Sequence, residues 1–311
     1  MTRAWLYATL SMLGCGGGAA VVDASASTVD STGSAIDATP APDAAACAGL
    51  AMGPTGVLTA QSITVRNATR TYVLSVPATA SIDAALPIVF AFHGDGGTGA
   101  GIRSSLGLEA PAAGGAIFVY PDGISRADGW WDLEGLPAAN DDIALFDALV
   151  TEIEAHYCVD PHRIFATGFS RGGFFVNHLA CERGDVLRAI APQSGGGPYW
   201  GDYNGDGRLV CPTPPVPALV IHGNADNVVH NDPNPATLEG GWQAFEHWVY
   251  WNSPAPHSGV TFATSPSLPS PCVISQETPA DHPVIACFID GLGHAPWSEQ
   301  ATTVWNFFAA R

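Results

Sequence analysis

Positive charge is what this 311-residue chain has least of: 11 Lys and Arg stand against 29 Asp and Glu, a formal net charge of −18. Such a surface repels a nucleic-acid backbone and an anionic membrane face, so no nucleic-acid partner is expected and neutral or uncharged ligands fit better. The seven cysteines contain no CxxC pair, which argues against a cysteine zinc site. No apolar run near the start reaches the roughly 20 residues that a membrane span needs. What is abundant is apolar residue, 47% of the chain, together with 35 Gly and 25 Pro. That composition supports a substantial core in one large domain crossed by many turns.

Residues 1–15, MTRAWLYATLSMLGC, place one arginine before an apolar run and small residues, the pattern of an export signal. MLGC resembles the cleavage box of bacterial lipoproteins, with Met12 where leucine is usual, and implies acylation at Cys15; ordinary secretion is the alternative. Residues 16–46 hold no aromatic, lysine or arginine side chain. Such a segment cannot bury enough apolar surface to offset its ordering entropy and reads as a disordered linker. The globular domain is then expected over residues 47–311. Apart from Cys15 six cysteines remain, an even number in an exported chain, so three disulfides are expected. Six cysteines allow 15 connectivities; Cys272 and Cys287 flank an apparent hairpin and pair most simply, and Cys181 with Cys211 and Cys47 with Cys158 are added as the further expected pairs.

Beyond residue 47 short apolar runs alternate with longer amphipathic segments. PIVFAFHG, AIFVYPDG, RIFATGFS, AIAPQSG, ALVIHGNAD and VIACFIDG have the near-continuous apolar character of strands covered on both faces. DDIALFDALVTEIEAHY repeats Ile143, Phe146, Val150, Ile153 and Tyr157 at helical spacing, with acids at its start. Further helices are expected from Ser170, near Gly240 and near Ser298. This alternation predicts an α/β fold, a mostly parallel central sheet with helices on both faces, led in by an antiparallel pair, SITVRNA and TRTYVLSVP.

Functional groups on such a sheet collect at the carboxyl ends of strands. Four ends carry notable residues: HGDGG at 93–97, GFSRGG at 168–173, HGNAD at 222–226 and GLGHAPW at 291–297. Ser170 lies in a G-x-S-x-G pentapeptide, weak by itself but preceded here by a strand and followed by a helix, the context that a nucleophile elbow requires. A serine hydroxyl needs a base and a group to orient that base. His294 and Asp226 are the candidates, and the chain order Ser170, Asp226, His294 is that of the α/β-hydrolase fold. Asp290, Asp122 and Asp232 are rival acids, while His93 and His222 are expected to serve loop hydrogen bonding. Backbone N–H groups of Asp95 and Arg171 are the candidate oxyanion donors.

TRTYVLSVP, PIVFAFHGDGGTG, YCVDPHRIFATGFSRGGFFVNHLAC, AIAPQSGGG, VPALVIHGNADNVV and IDGLGHAPW together resemble secreted esterases of carbohydrate esterase family 1, which include feruloyl esterases, acetylxylan esterases and poly(3-hydroxybutyrate) depolymerase-like proteins. The likeness covers about 265 residues, from Cys47 onward. It implies an α/β-hydrolase fold, Ser170 as nucleophile, Asp226 as acid, His294 as base, and an oxyanion donor at Asp95. It is specific for the triad and weak for substrate, because such sites are varied through their loops. The expected activity is a serine esterase working through an acyl-enzyme without a cofactor, exported as a secreted or lipid-anchored monomer, on feruloyl or acetyl esters of plant cell-wall polysaccharide. A polyester depolymerase is the alternative within the same chemistry. A non-catalytic carbohydrate-binding protein and a peptidase are alternatives from other classes, and no apolar lid of lipase type is visible. Trp130, Trp131 and Trp297 are candidate substrate-binding rings, with core packing as the other reading. GDYNGDGRLVC spaces Asp202, Asn204 and Asp206 as in half of a calcium loop, but the twelfth position from Asp202 is Thr213, which has no carboxylate; a shorter loop holding a structural calcium is one reading and a hydrogen-bonded Asp/Asn turn the other.

Overall fold

The computed structural model describes residues 47–126, 130–198, 210–231, 240–254 and 259–311. All of them fall within one compact unit, Pro40–Arg311. The candidate calcium residues Asp202, Asn204 and Asp206, Cys15, the linker and Asp232 lie outside the described residues.

Ten strands form one sheet: β1 (Gly56–Val65), β2 (Ala68–Val76), β3 (Leu86–Phe92), β4 (Ile117–Pro121), β5 (Val159–Phe169), β6 (Ala189–Gln193), β7 (Ala218–Gly223), β8 (Phe262–Thr264), β9 (Val273–Ser275) and β10 (Val284–Ile289). Their spatial order is β1-β2-β4-β3-β5-β6-β7-β10-β9-β8. The six strands from β4 to β10 run parallel. β1 and β2 form the expected antiparallel pair, and β2 is antiparallel to β4. β9 is antiparallel to β10, so the segment between Cys272 and Cys287 is a hairpin.

The central strands are apolar at successive positions because both faces are covered, and alternate residues feed different cores. Ile88, Phe90 and Phe92 of β3 face one core, with Ile164 and Ala166 of β5. Val89 and Ala91 face the other, with Phe165. Helices α3 (Asp141–His156), α4 (Arg171–Glu182) and α5 (Gly241–Asn252) close the first face; α1 (Gly99–Leu106), α2 (Glu109–Ala112) and α6 (Gln300–Ala309) close the second. α3 begins at Asn140, whose side-chain oxygen accepts from the N–H groups of Asp142 (2.9 Å) and Ile143 (3.0 Å). α1 lies in the glycine- and serine-rich GAGIRSSL, where periodicity is faint. The Thr98 hydroxyl caps its start and Gly107, with φ +58°, ends it.

The three disulfides join Cys47 to Cys158, Cys181 to Cys211 and Cys272 to Cys287, with Cα separations of 5.5, 4.8 and 4.0 Å. The neighbours β3 and β5 send their chains to opposite faces, β3 into α1 and β5 into α4. Their carboxyl ends are the topological switch point of an open parallel sheet, where ligands ordinarily bind. That places the 93–97 loop beside the turn at Ser170.

Candidate active site

Ser170 leaves β5 with φ +56° and ψ −126°, a strained conformation for a residue with a side chain. The surrounding glycines are a steric demand. A Cβ on Gly172 would lie 2.1 Å from the Phe92 carbonyl oxygen, and one on Gly168 would lie 2.4 Å from that of Gly172. The elbow is held by Ser170 N–H donating to Gln193 O at 2.9 Å and by Gly173 N–H donating to Ser170 O at 2.7 Å. The hydroxyl thus stands at the N-terminus of α4 above the sheet edge.

Two loops bring the other groups to it. His294, from the loop after β10, has Nε2 at 2.9 Å from Ser170 Oγ and Nδ1 at 2.7 Å from Asp226 Oδ2. A carboxylate only accepts, so Nδ1 carries the proton and the bare Nε2 accepts from the serine hydroxyl. The Phe169 ring, 4.9 Å from the imidazole between centroids, packs beside it. Asp226 is buried, and its Oδ1 accepts from the N–H groups of Val228 and Val229, both at 2.9 Å. Burial alone would raise this carboxyl, but the hydrogen bonds from His294, Val228 and Val229 outweigh it and hold the group below its ordinary value. It stays anionic where the imidazole needs a partner. The rival acids are engaged elsewhere: Asp122 accepts from Gly99 N–H (2.6 Å) and the Thr71 hydroxyl (2.7 Å), while the exposed Asp290 accepts from Asn224 (2.6 Å).

The 93–97 loop lies against the elbow. A Cβ on Gly94 would fall 3.1 Å from Ser170 Cβ, so any side chain there would have to push the elbow by a few tenths of an ångström. His93 is buried: Nδ1 donates to Gly94 O at 2.7 Å and Nε2 accepts from Gly123 N–H at 2.8 Å. Desolvation lowers its affinity for a proton, and the neutral ring fixes the loop's exit, as expected for loop hydrogen bonding. The Asp95 carboxylate accepts from Trp130 N–H at 2.9 Å, and the Arg171 guanidinium donates from Nε (3.0 Å) and Nη2 (2.8 Å) to Trp131 O. Both candidate oxyanion residues therefore clamp the Trp130–Trp131 segment with their side chains.

The tryptophans separate. Trp131 is fully buried, stacked on Phe175 at 5.4 Å and edge-on to Phe92 at 5.3 Å, with Nε1 donating to His93 O at 2.7 Å. It is a core residue that props the 93–97 loop, and the expectation of a substrate contact is corrected. Trp297, 8% exposed, packs into the core under α6 and is corrected likewise. Trp130 is half-buried and walls a cavity of about 410 Å³ with Thr59, Tyr72, Gly97, Thr98 and Asp122. No triad side chain lines it.

Sequence reasoning missed the frame behind this segment. Arg70 donates to Asp142 Oδ1 at 2.8 Å, both side chains being almost fully buried, and also to Asp122 O at 3.0 Å. Asp142 Oδ2 accepts from Asp132 N–H at 2.8 Å and meets the Arg126 guanidinium at 3.0 Å. The acids at the start of α3 had suggested only helix-dipole compensation, yet Asp142 anchors a buried ion pair between α3 and β2. An isolated arginine in a strand carries no sequence signal for that. Among the described residues no group of three or more His, Cys, Asp or Glu is arranged to hold a metal ion.

A mostly parallel sheet with a serine elbow after β5, an acid after β7 and a histidine after the last parallel strand defines an α/β hydrolase. The comparisons narrow this. No protein-family model matches the chain. Feruloyl esterase C of Emericella nidulans is 32% identical over 255 residues, 78% of this chain and 84% of that protein. A probable feruloyl esterase C of Aspergillus niger is 33% identical over 195 residues, 61% of this chain and 64% of that protein, so the match spans a little under two thirds of that relative's length. The acetyl xylan esterase of Aspergillus awamori shares the fold, with a TM-score of 0.55 and 17% identity over 81% of this chain and all of that one. The chain belongs to the feruloyl esterase C family, within carbohydrate esterase family 1.

Proposed function

We propose that the protein is a serine carboxylic-ester hydrolase acting on feruloyl or acetyl esters of plant cell-wall polysaccharide. The observation that carries this is the continuous hydrogen-bonded line from Ser170 Oγ through His294 to Asp226, built on a strained elbow. In the proposed reaction His294 Nε2 takes the hydroxyl proton as Ser170 Oγ attacks the ester carbon. The tetrahedral oxyanion is received by the backbone N–H groups of Asp95 and Arg171, donors of a kind worth about 3 kcal/mol each to a transition state. His294 then protonates the departing alcohol, and water activated by the same nitrogen releases the acid from Ser170. Asp226 keeps Nδ1 protonated and balances the imidazolium in both halves. These steps use side chains and backbone alone. Trp130 is retained as the ring that contacts substrate.

The names of the relatives support the acyl choice, and the three disulfides support export, since such bonds persist in oxidising compartments. In this reading residues 1–15 are the export signal, with Cys15 a lipid anchor, residues 16–46 the tether and residues 47–311 a monomeric catalytic domain. Among the described residues no helix is long and apolar enough to cross a membrane.

The test is hydrolysis of methyl ferulate and p-nitrophenyl acetate beside the Ser170→Ala variant. Turnover of both, lost in the variant, is expected. Turnover of acetate alone moves the substrate toward acetylated xylan or polyester, and none on either from a folded protein overturns the reading.

A further inference from the structure

We propose that His222 is a positioning residue for the triad, a neutral imidazole that holds the Asp226 carboxylate and its turn so that Oδ2 meets His294. This rests on the esterase reading above. His222 ends β7 four residues before Asp226, and both side chains are fully buried. Its Nε2 lies 2.8 Å from Val229 O and 3.4 Å from Asp226 Oδ2. A carbonyl oxygen only accepts, so Nε2 carries the hydrogen. That N–H closes the 226–229 turn through Val229 O and presents its positive edge to the oxygen that receives His294 Nδ1–H. The same turn supplies the two backbone N–H groups on Oδ1. The carboxylate is therefore gripped at both oxygens, and His222 ties the two grips together.

Space around the ring admits little movement. A Cβ on Gly241, at the start of α5, would fall 2.6 Å from His222 Cβ, so the helix backbone lies against the imidazole. The titratable groups that reach it are Asp226, which favours a proton on the ring, and His294, which opposes one; Gly241 brings no charge. Desolvation outweighs them and lowers the ring's affinity for a proton, so His222 stays neutral while His294 cycles. A neutral donor beside Oδ2 draws on that oxygen's basicity without competing as a full ion pair. Two effects follow from its loss: a looser carboxylate, which slows attack, and a more basic one, which raises the proton affinity of His294.

The experiment compares the full chain with His222→Leu and His222→Gln, the glutamine amide reaching about where Nε2 stood. His222→Leu is expected to lower kcat on p-nitrophenyl acetate about 10- to 100-fold, the scale of a misplaced catalytic group. KM should be nearly unchanged, and the acid limb of kcat/KM should move to higher pH. His222→Gln is expected to restore kcat to within a few fold. Folded variants with wild-type kcat and an unmoved limb overturn the proposal, as does a rate loss that glutamine does not rescue. Labelling by a fluorophosphonate separates the two readings: a wild-type protein that neither labels nor turns over defeats the esterase assignment, whereas an active wild type with indifferent variants defeats only the role of His222. Should His222→Leu fail to fold, imidazole nitrogen NMR of the wild type decides. A neutral Nε2–H ring across the active pH range supports the proposal, and a protonated or Nδ1–H ring overturns it.

Discussion

Replacing Asp226 by asparagine changes one atom and almost no volume, yet the surrounding hydrogen bonds dictate its consequence. Oδ1 accepts from two backbone N–H groups at 2.9 Å, and only an oxygen can occupy that place. The amide nitrogen of Asp226→Asn is therefore forced into the Oδ2 position, 2.7 Å from His294 Nδ1. An amide N–H donates, so Nδ1 must become the acceptor and the ring proton moves to Nε2. The nitrogen that faced Ser170 Oγ at 2.9 Å then has no lone pair for the hydroxyl proton. The imidazolium formed during attack also loses its counter-charge. A triad set in the wrong tautomer loses about 10⁴-fold in kcat, or about 5.5 kcal/mol of barrier. The assay is steady-state hydrolysis of p-nitrophenyl acetate, with fluorophosphonate labelling of Ser170 as a substrate-independent check and a thermal melt to establish folding. A folded Asp226→Asn protein within tenfold of wild-type kcat would refute the assignment of acid and tautomer together.

Three further outcomes test the frame around the site. Gly172→Ala drives a Cβ to 2.1 Å from the Phe92 carbonyl, so soluble yield or melting temperature should collapse along with activity; a stable, active variant would show that the elbow is not so confined. Arg70→Met removes one partner of a buried carboxylate whose other partners among the described residues are Arg126 and the Asp132 N–H, a loss of about 3 kcal/mol in urea unfolding, while an unchanged midpoint would refute the contribution of this ion pair. His247 on α5 is pushed down to about 4 by burial from an ordinary 6.5, so below pH 6.5 the unfolded chain takes up a proton that the folded one refuses. Stability from this group is constant above pH 6.5 and falls by at most about 3 kcal/mol toward pH 4. Unfolding titrations of wild type and His247→Gln should differ in slope only in that window, and parallel curves would reject the lowered proton affinity of this histidine.

The architecture was legible because the strands carry it locally. PIVFAF, RIFAT and ALVI are apolar at successive positions, a pattern that a half-exposed strand would not show. The elbow was legible for a similar reason, since a serine between glycines at a strand-to-helix junction reports a backbone conformation set by near neighbours. Parity gave the number of disulfides and the hairpin gave Cys272 with Cys287, but the other four cysteines could pair in three ways, and only the fold brings Cys47 to Cys158 and Cys181 to Cys211. Helix α1 was not foreseen, because glycine and serine dilute its periodicity and its stability comes from the Thr98 cap and from packing on the sheet. Which tryptophans are buried was not legible. Composition says that Trp131 is large and apolar, not that its indole N–H meets His93 O under the 93–97 loop.

The amino-acid sequence by itself determined the α/β class and the glycines that let Ser170 take its strained turn, because each depends on residues adjacent along the chain. Tertiary structure alone decided which carboxylate reaches His294, which rings face solvent, that Arg70 and Asp142 meet 72 residues apart, and that His222 shares the oxygen of Asp226. The physical reason is that an electrostatic or packing partner is defined by distance in space, and a parallel sheet brings together strand ends that lie far apart in the chain.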